Sequence, residues 1–107
     1  MKRTSKNKIK GLADFIEYRR GSIVSKEILR KKTGTVTLFA FDRGQGLSEH
    51  TASFDAIVYV FDGETRITIS GKLFRLKKGQ MIVMPAGKPH ALKAVKKFKM
   101  MLIMIKS

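Results

Sequence analysis

Cysteine is absent from all 107 residues, so neither a disulfide framework nor thiolate chemistry is available. The basic opening, MKRTSKNKIKG, lacks the apolar run that a signal peptide places after such a start. The longest apolar stretches, Ala56–Phe61 and Met100–Ile105, are far too short to cross a bilayer. A cytoplasmic setting with no membrane partner is the resulting expectation. No connection between candidate strands is long enough for a crossover helix, which excludes a parallel α/β sheet. Neither histidine adjoins a nucleophile motif, so acyl transfer has no support. Gly44-Gln45-Gly46 is too short to count as a phosphate-binding loop. Acidic residues are missing beyond position 70.

That last absence shapes the charge. The chain carries a formal net charge of +15, distributed as +8 over residues 1–32, −3 over 33–70 and +10 over 71–107. The basic flanks raise the question of an anionic partner. The lysines sit singly among apolar residues, however, and no basic stripe interleaved with aromatics appears, as single-stranded nucleic acid would require. A solvated basic surface is the better reading, with nucleic acid the weaker one. Hydrophobic residues make up 43% of the chain, enough for one packed domain and too many for disorder.

The pattern of the chain is mostly of period two. Residues 1–8 read as a flexible basic N-terminus and 9–107 as one domain. Ile9–Tyr18 spaces Ile9, Leu12, Ala13 and Ile16 for a short amphipathic helix, ended by Arg19-Arg20-Gly21. Strands are expected at Ser22–Leu29, Thr35–Phe41, Leu47–Ala52, Asp55–Phe61, Thr65–Ser70, Leu73–Leu76, Met81–Met84, Ala91–Val95 and Phe98–Ile105. In Thr35–Phe41, Thr35, Thr37, Phe39 and Phe41 alternate against Val36, Leu38 and Ala40. Asp62-Gly63 carries a hairpin-turn signal between two of these strands. About nine short strands with turns between them describe a compact all-β barrel or sandwich. Ala56–Phe61 is apolar on both faces, so something besides the barrel core must cover one of them, and a second subunit is the expected cover. Phe39, Phe41, Phe54, Tyr59 and Phe61 are candidates to line a cavity or an interface, and the methionines from Met81 to Met104 read as core filler.

Two stretches hold both histidines. Gly44–Gly63 reads glycine, five residues, His50-Thr51-Ala52, three residues, Ala56, six residues, glycine. Gly79–Ala94 reads glycine, five residues, Pro85-Ala86-Gly87, two residues, His90, three residues, Ala94. These spacings and turn residues resemble the two motifs of a small single-domain cupin, and the likeness spans nearly the whole chain. The resemblance implies a cupin-type double-stranded β-helix, a jelly-roll-like barrel, here with a short N-terminal helix and commonly a homodimer.

Cupins commonly bind a divalent metal through two histidines and a glutamate of the first motif and the histidine of the second. This chain keeps His50 and His90 but has Ala52 and Ala56 at the other two ligand positions. Ser48 shares the face of His50 on a regular strand but is a poor ligand, whereas Glu49 and Asp55 point to the opposite face unless a bulge intervenes. Two readings of the site stand open. In the first, His50, His90, Ser48, Ala52 and Ala56 contact a small molecule in the barrel, with no metal or a weakly bound zinc, nickel, manganese or iron at His50 and His90. In the second, the chain is a metal-dependent dioxygenase, isomerase or decarboxylase that uses the two histidines plus an unrecognised ligand. A third reading, an anion or nucleic-acid binder through the basic flanks, ranks last.

Overall fold

The computed structural model describes residues 8–106, so the expected flexible segment 1–8 lies outside the described residues except for Lys8, as does Ser107. Eight antiparallel strands make one sheet curled on itself: β1 (Ile23–Lys31), β2 (Gly34–Phe41), β3 (Gly46–His50), β4 (Asp55–Ile69), β5 (Lys72–Lys77), β6 (Met81–Met84), β7 (His90–Lys93) and β8 (Phe98–Ile105). Among the described residues no helix is long and apolar enough to cross a membrane.

β4 organises the fold. Its first half pairs with β8 and β6, and its second half with β7 and β5. One wall, sheet A, therefore runs β1-β2-β8-β4-β6, and the opposing wall, sheet B, runs β3-β7-β4-β5. The hairpin expected at Asp62-Gly63 does not form, which reduces nine strands to eight. Instead the register against β8 shifts between Val60 and Asp62, and the strand continues through a bulge. Gly63 supplies the conformation this bend needs, with φ at +70°. A Cβ there would collide with the Lys97 carbonyl oxygen and approach the Phe98 Cα to 2.9 Å. Asp-Gly thus signalled a left-handed backbone residue correctly, but the chain uses it to turn a corner rather than to reverse.

Between the walls lie Phe41, Ala56, Val58, Val60, Ile67, Leu76, Met84, Leu92, Phe98 and Met100, all buried. One end of the barrel is closed by Phe41 and Phe98, paired across β2 and β8 with rings stacked at 4.6 Å. Met84 and Met100 serve as core filler as expected, whereas Met81 is 54% exposed and does not.

The expected helix over Ile9–Tyr18 contracts to one 3-10 turn at Leu12–Phe15, and Ile16 is already extended. The cause is competition for carbonyls: the Lys99 ammonium donates to the Ala13 carbonyl and Lys26 to that of Phe15, oxygens that an α-helix would give to amides four residues on. The segment acts as a strap. Leu12, Ala13, Phe15, Ile16 and Tyr18 pack on Leu38, Ala40, Tyr59, Phe61 and Met101 of the outer face of sheet A, and the Tyr18 hydroxyl donates to Asp62 at 2.6 Å. Burial and the Asp62 carboxylate raise the Tyr18 phenol well above its ordinary range, so it stays protonated. The strap, rather than the second subunit expected from the sequence, therefore covers the outer side of Tyr59 and Phe61.

Beyond the strap the same face stays bare. Leu29, Val36, Ile103, Ile57 and Val83 stand opposite one another across β1, β2, β8, β4 and β6. Leu29 and Val83 are 43% and 49% exposed.

Candidate functional site

The open end of the barrel is built by the loops that follow β3 and β6. The backbone N–H of Gly87 donates to the Ala52 carbonyl, and that of Ala86 to the Asp55 carboxylate at 2.8 Å. Ser70 N–H in turn donates to the Pro89 carbonyl. The Pro85–Pro89 loop is thereby pinned to both flanking connections, with Gly87 in a left-handed conformation that allows the turn. This delivers His90 to the first position of β7, and His50 is its direct cross-strand partner on β3.

Residues directly opposite across two strands share a face. His90 lies in the inward register of Leu92, so both imidazoles turn toward the interior, their ring centroids 4.4 Å apart and inclined at 66°. His90 is buried and His50 exposed, so one ring forms the floor and the other the rim. A bulge makes this possible. The register shifts between Leu47 and His50, so two residues three apart both face inward, where a regular strand would oppose them.

Each ring is held in the same way. His50 Nδ1 lies 2.8 Å from the Ser48 carbonyl oxygen, and His90 Nδ1 lies 3.2 Å from that of Lys88. A carbonyl only accepts, so each Nδ1 carries a proton and Nε2 is the ring nitrogen left for other partners. Ser48 contributes its backbone oxygen here, and its side chain is exposed. Ala52 is half-buried and Ala56 is part of the packed core. The Asp55 carboxylate is committed to Ala86, and Glu49 is exposed. Among the described residues no three histidine, aspartate or glutamate side chains come together. Catalytic zinc keeps about three protein ligands, and non-haem iron two histidines and a carboxylate; with alanine at positions 52 and 56, the two imidazoles do not supply either set.

The site is therefore a pair of imidazoles oriented through Nδ1 at the open end of the barrel, and the fold around it can be placed. The Cupin domain family matches residues 37–106, which include both histidine-bearing stretches. The chain belongs to the cupin superfamily. The cupin superposes with a TM-score of 0.90 on a conserved protein of unknown function from Streptococcus pyogenes, at 35% identity, covering 94% of this chain and 89% of that one. A cupin 2 conserved barrel domain protein from Leptotrichia buccalis is 44% identical, with a TM-score of 0.86 over 89% of this chain. This cupin spans only 46% of that protein's length. A cupin superfamily protein from Desulfitobacterium hafniense superposes at 0.90 with 27% identity, covering 94% and 93% of the two chains. No curated protein matches the cupin.

Two further groupings were not visible in the sequence. Lys93, Arg66 and Arg75 stand opposite one another across β7, β4 and β5 on the outer face of sheet B. Like charges so placed repel. The next positions in register are Thr68, Ala91 and Leu73, none of them a ring on which a base could stack. The second grouping is a polar row at the open end of β1 and β2. Its trace in the sequence was the threonines of Thr35–Phe41, which alternate on the same face as Phe41 and so had to point inward.

Proposed function

We propose that this cupin binds a small organic molecule at the open end of its barrel, with His50 and His90 as a matched pair of hydrogen-bond acceptors. The observation that carries this reading is the common orientation: two imidazoles from different strands, each with Nδ1 at a carbonyl two residues earlier. Such rings present Nε2 toward a ligand that offers N–H or O–H donors, and apolar side chains fill the space beneath them. Ala52 and Ala56 belong to the wall of this site. The partner is accordingly a donor-bearing molecule with an apolar face, and no step is assigned to a metal.

A fragment screen followed by backbone amide shifts tests the reading. Hits are expected to perturb Glu49, His50 and His90, and to vanish in the His50→Ala, His90→Ala double variant. Hits that survive that variant would end it. Nitrogen shifts of the imidazoles give an independent check, with both neutral rings expected in the Nδ1–H form.

The metal-dependent alternative requires a third ligand. Ala52→His with Ala56→Glu rebuilds the four-ligand spacing, and zinc or nickel is expected to raise the melting temperature of that variant only. A comparable rise in the unaltered protein would favour the enzyme reading.

We also assign to the bare apolar row of sheet A a second copy of the chain. Leu29, Val36, Ile103, Ile57 and Val83 form an uncharged row in a strongly basic protein, with Leu29 and Val83 the most exposed, and burying apolar surface contributes roughly 25 cal/mol per Å2. Sedimentation at micromolar concentration is expected to give a dimer that Ile103→Glu dissociates. A monomer throughout would remove the assignment.

A further inference from the structure

The cations of sheet B form more than a local row. Lys93, Arg66 and Arg75 stand directly opposite one another across β7, β4 and β5. Neighbouring strands lie about 4.8 Å apart, so these positions span about 10 Å of the outer face. The row continues past β7. The Lys93 ammonium reaches the Gly44 carbonyl at 3.4 Å, beside Arg43 in the β2–β3 loop. Arg43 in turn lines a depression of about 610 Å3 together with Asp42, Val95, Lys96 and Lys97. Folding thus draws one basic stripe from well-separated parts of the chain.

The acids that share this stripe are already engaged. Asp42 accepts the backbone N–H groups of Gly21 and Arg43 at 2.6 and 2.9 Å. Glu64, two residues before Arg66 on the same face of β4, lies 3.8 Å from Lys96. The Lys97 ammonium sits 4.7 Å from the centre of the Tyr18 ring. That leaves Arg43, Lys93, Arg66 and Arg75, and among the described residues no carboxylate comes within salt-bridge distance of any of them. Like charges directly opposite on a sheet destabilise it. A surface that served solubility alone would gain nothing from lining them up. Arginine, with its planar fork of donors, matches phosphate oxygens in particular.

We propose that this stripe binds double-stranded nucleic acid along its phosphate backbone. A linear row of cations complements a linear array of anions rather than one compact ion. A duplex carries one negative charge per about 1.7 Å of its axis, dense enough to meet the whole row at once. A single strand fits less well, because its binding adds bases stacked on aromatic rings. The outward positions beside the row, Thr68, Ala91 and Leu73, offer no ring. A sheet face also puts no helix or ribbon into a groove to read base edges, so the binding is independent of base sequence. The stripe lies outside the barrel, whereas His50 and His90 face inward, and it does not rest on the small-molecule reading.

The test follows a short fluorescein-labelled DNA duplex by anisotropy as salt is raised. With phosphates meeting Arg43, Lys93, Arg66 and Arg75, the logarithm of affinity should fall against that of salt with a slope of about −3 to −4. Arg66→Gln with Arg75→Gln should make that slope shallower by about two. Lys31→Gln with Lys32→Gln removes the same charge at the β1–β2 turn and should leave it unchanged. The arginine variant carries a second expectation: relieving the repulsion with Lys93 should raise the melting temperature of the free protein while weakening duplex binding. Equal losses in the two double variants would mean adsorption by net charge alone and would overturn the stripe. So would absence of duplex binding, tighter binding of a single strand of the same sequence, or capture by phosphatidylserine vesicles without capture by the duplex.

Discussion

The two ends of the barrel are built from the same strands yet solve opposite problems. At the closed end, β2 and β8 contribute Phe41 and Phe98, both 0% exposed and stacked nearly parallel, and the bend of β4 at Gly63 brings its backbone close against Phe98. At the open end the same strands contribute Thr35 and Met104, and sheet B contributes two imidazoles where the other end has Leu92 and Ala94. One end holds the molecule together through apolar contact. The other carries polar groups with unused hydrogen-bonding capacity, each held by a bulge or a backbone carbonyl. Stability and recognition are separated along the barrel axis, and substitutions at the two ends should differ in kind.

The sharpest contrast should come from Phe98→Ala, expected to cost about 3–5 kcal/mol for loss of a buried aromatic, read by urea unfolding. A cost near that of a surface substitution would mean that this end is not closed. Gly63→Ala follows, at about 3 kcal/mol, because a left-handed backbone and a backbone collision are both involved. Lys99→Met is expected to cost about 1 kcal/mol by leaving the Ala13 carbonyl unpaired, with faster amide exchange through residues 12–16. Uniform exchange there would mean that the lysine does not hold the strap. Least affected should be the His50→Ala, His90→Ala pair, at below about 1 kcal/mol, since these rings contribute little to the core. A loss as large as that of Phe98→Ala would erase the distinction between the ends.

Much of this arrangement was legible from residues alone. β6 and β8 lie where their apolar runs placed them, and β2 begins one residue earlier. Gly44, Gly79 and Gly87 all adopt the positive φ that their turn positions implied. What stayed hidden has one physical cause: period-two reading assumes an unbroken pleat. The bulges between Glu27 and Leu29, between Leu47 and His50, and between Val60 and Asp62 each reset which residues share a face. The Glu27–Arg30 ion pair was therefore invisible, and Ser48 was placed with His50 by a parity that the bulge removes. The strap was misread for a different reason. Its helical spacing was real, but the lysines that take its carbonyls lie far along the chain, at positions 26 and 99, where no local pattern reveals them.

The placement of β8 has a consequence for how the chain acquires its shape during synthesis. Residues 98–105 fill the middle of sheet A, hydrogen-bonded to β2 on one side and β4 on the other. Every strand that pairs with β4 follows it in the chain. While the ribosome is still producing these segments, the emerging polypeptide can form the β1–β2 and β4–β5 hairpins but has nothing to join them, and their apolar edges stay open. Closure waits for the stretch beginning at Phe98. Such dependence on distant pairings slows folding and lengthens the exposure of unpaired strands to aggregation, so a nascent chain stalled before Phe98 should be a ready client for chaperones.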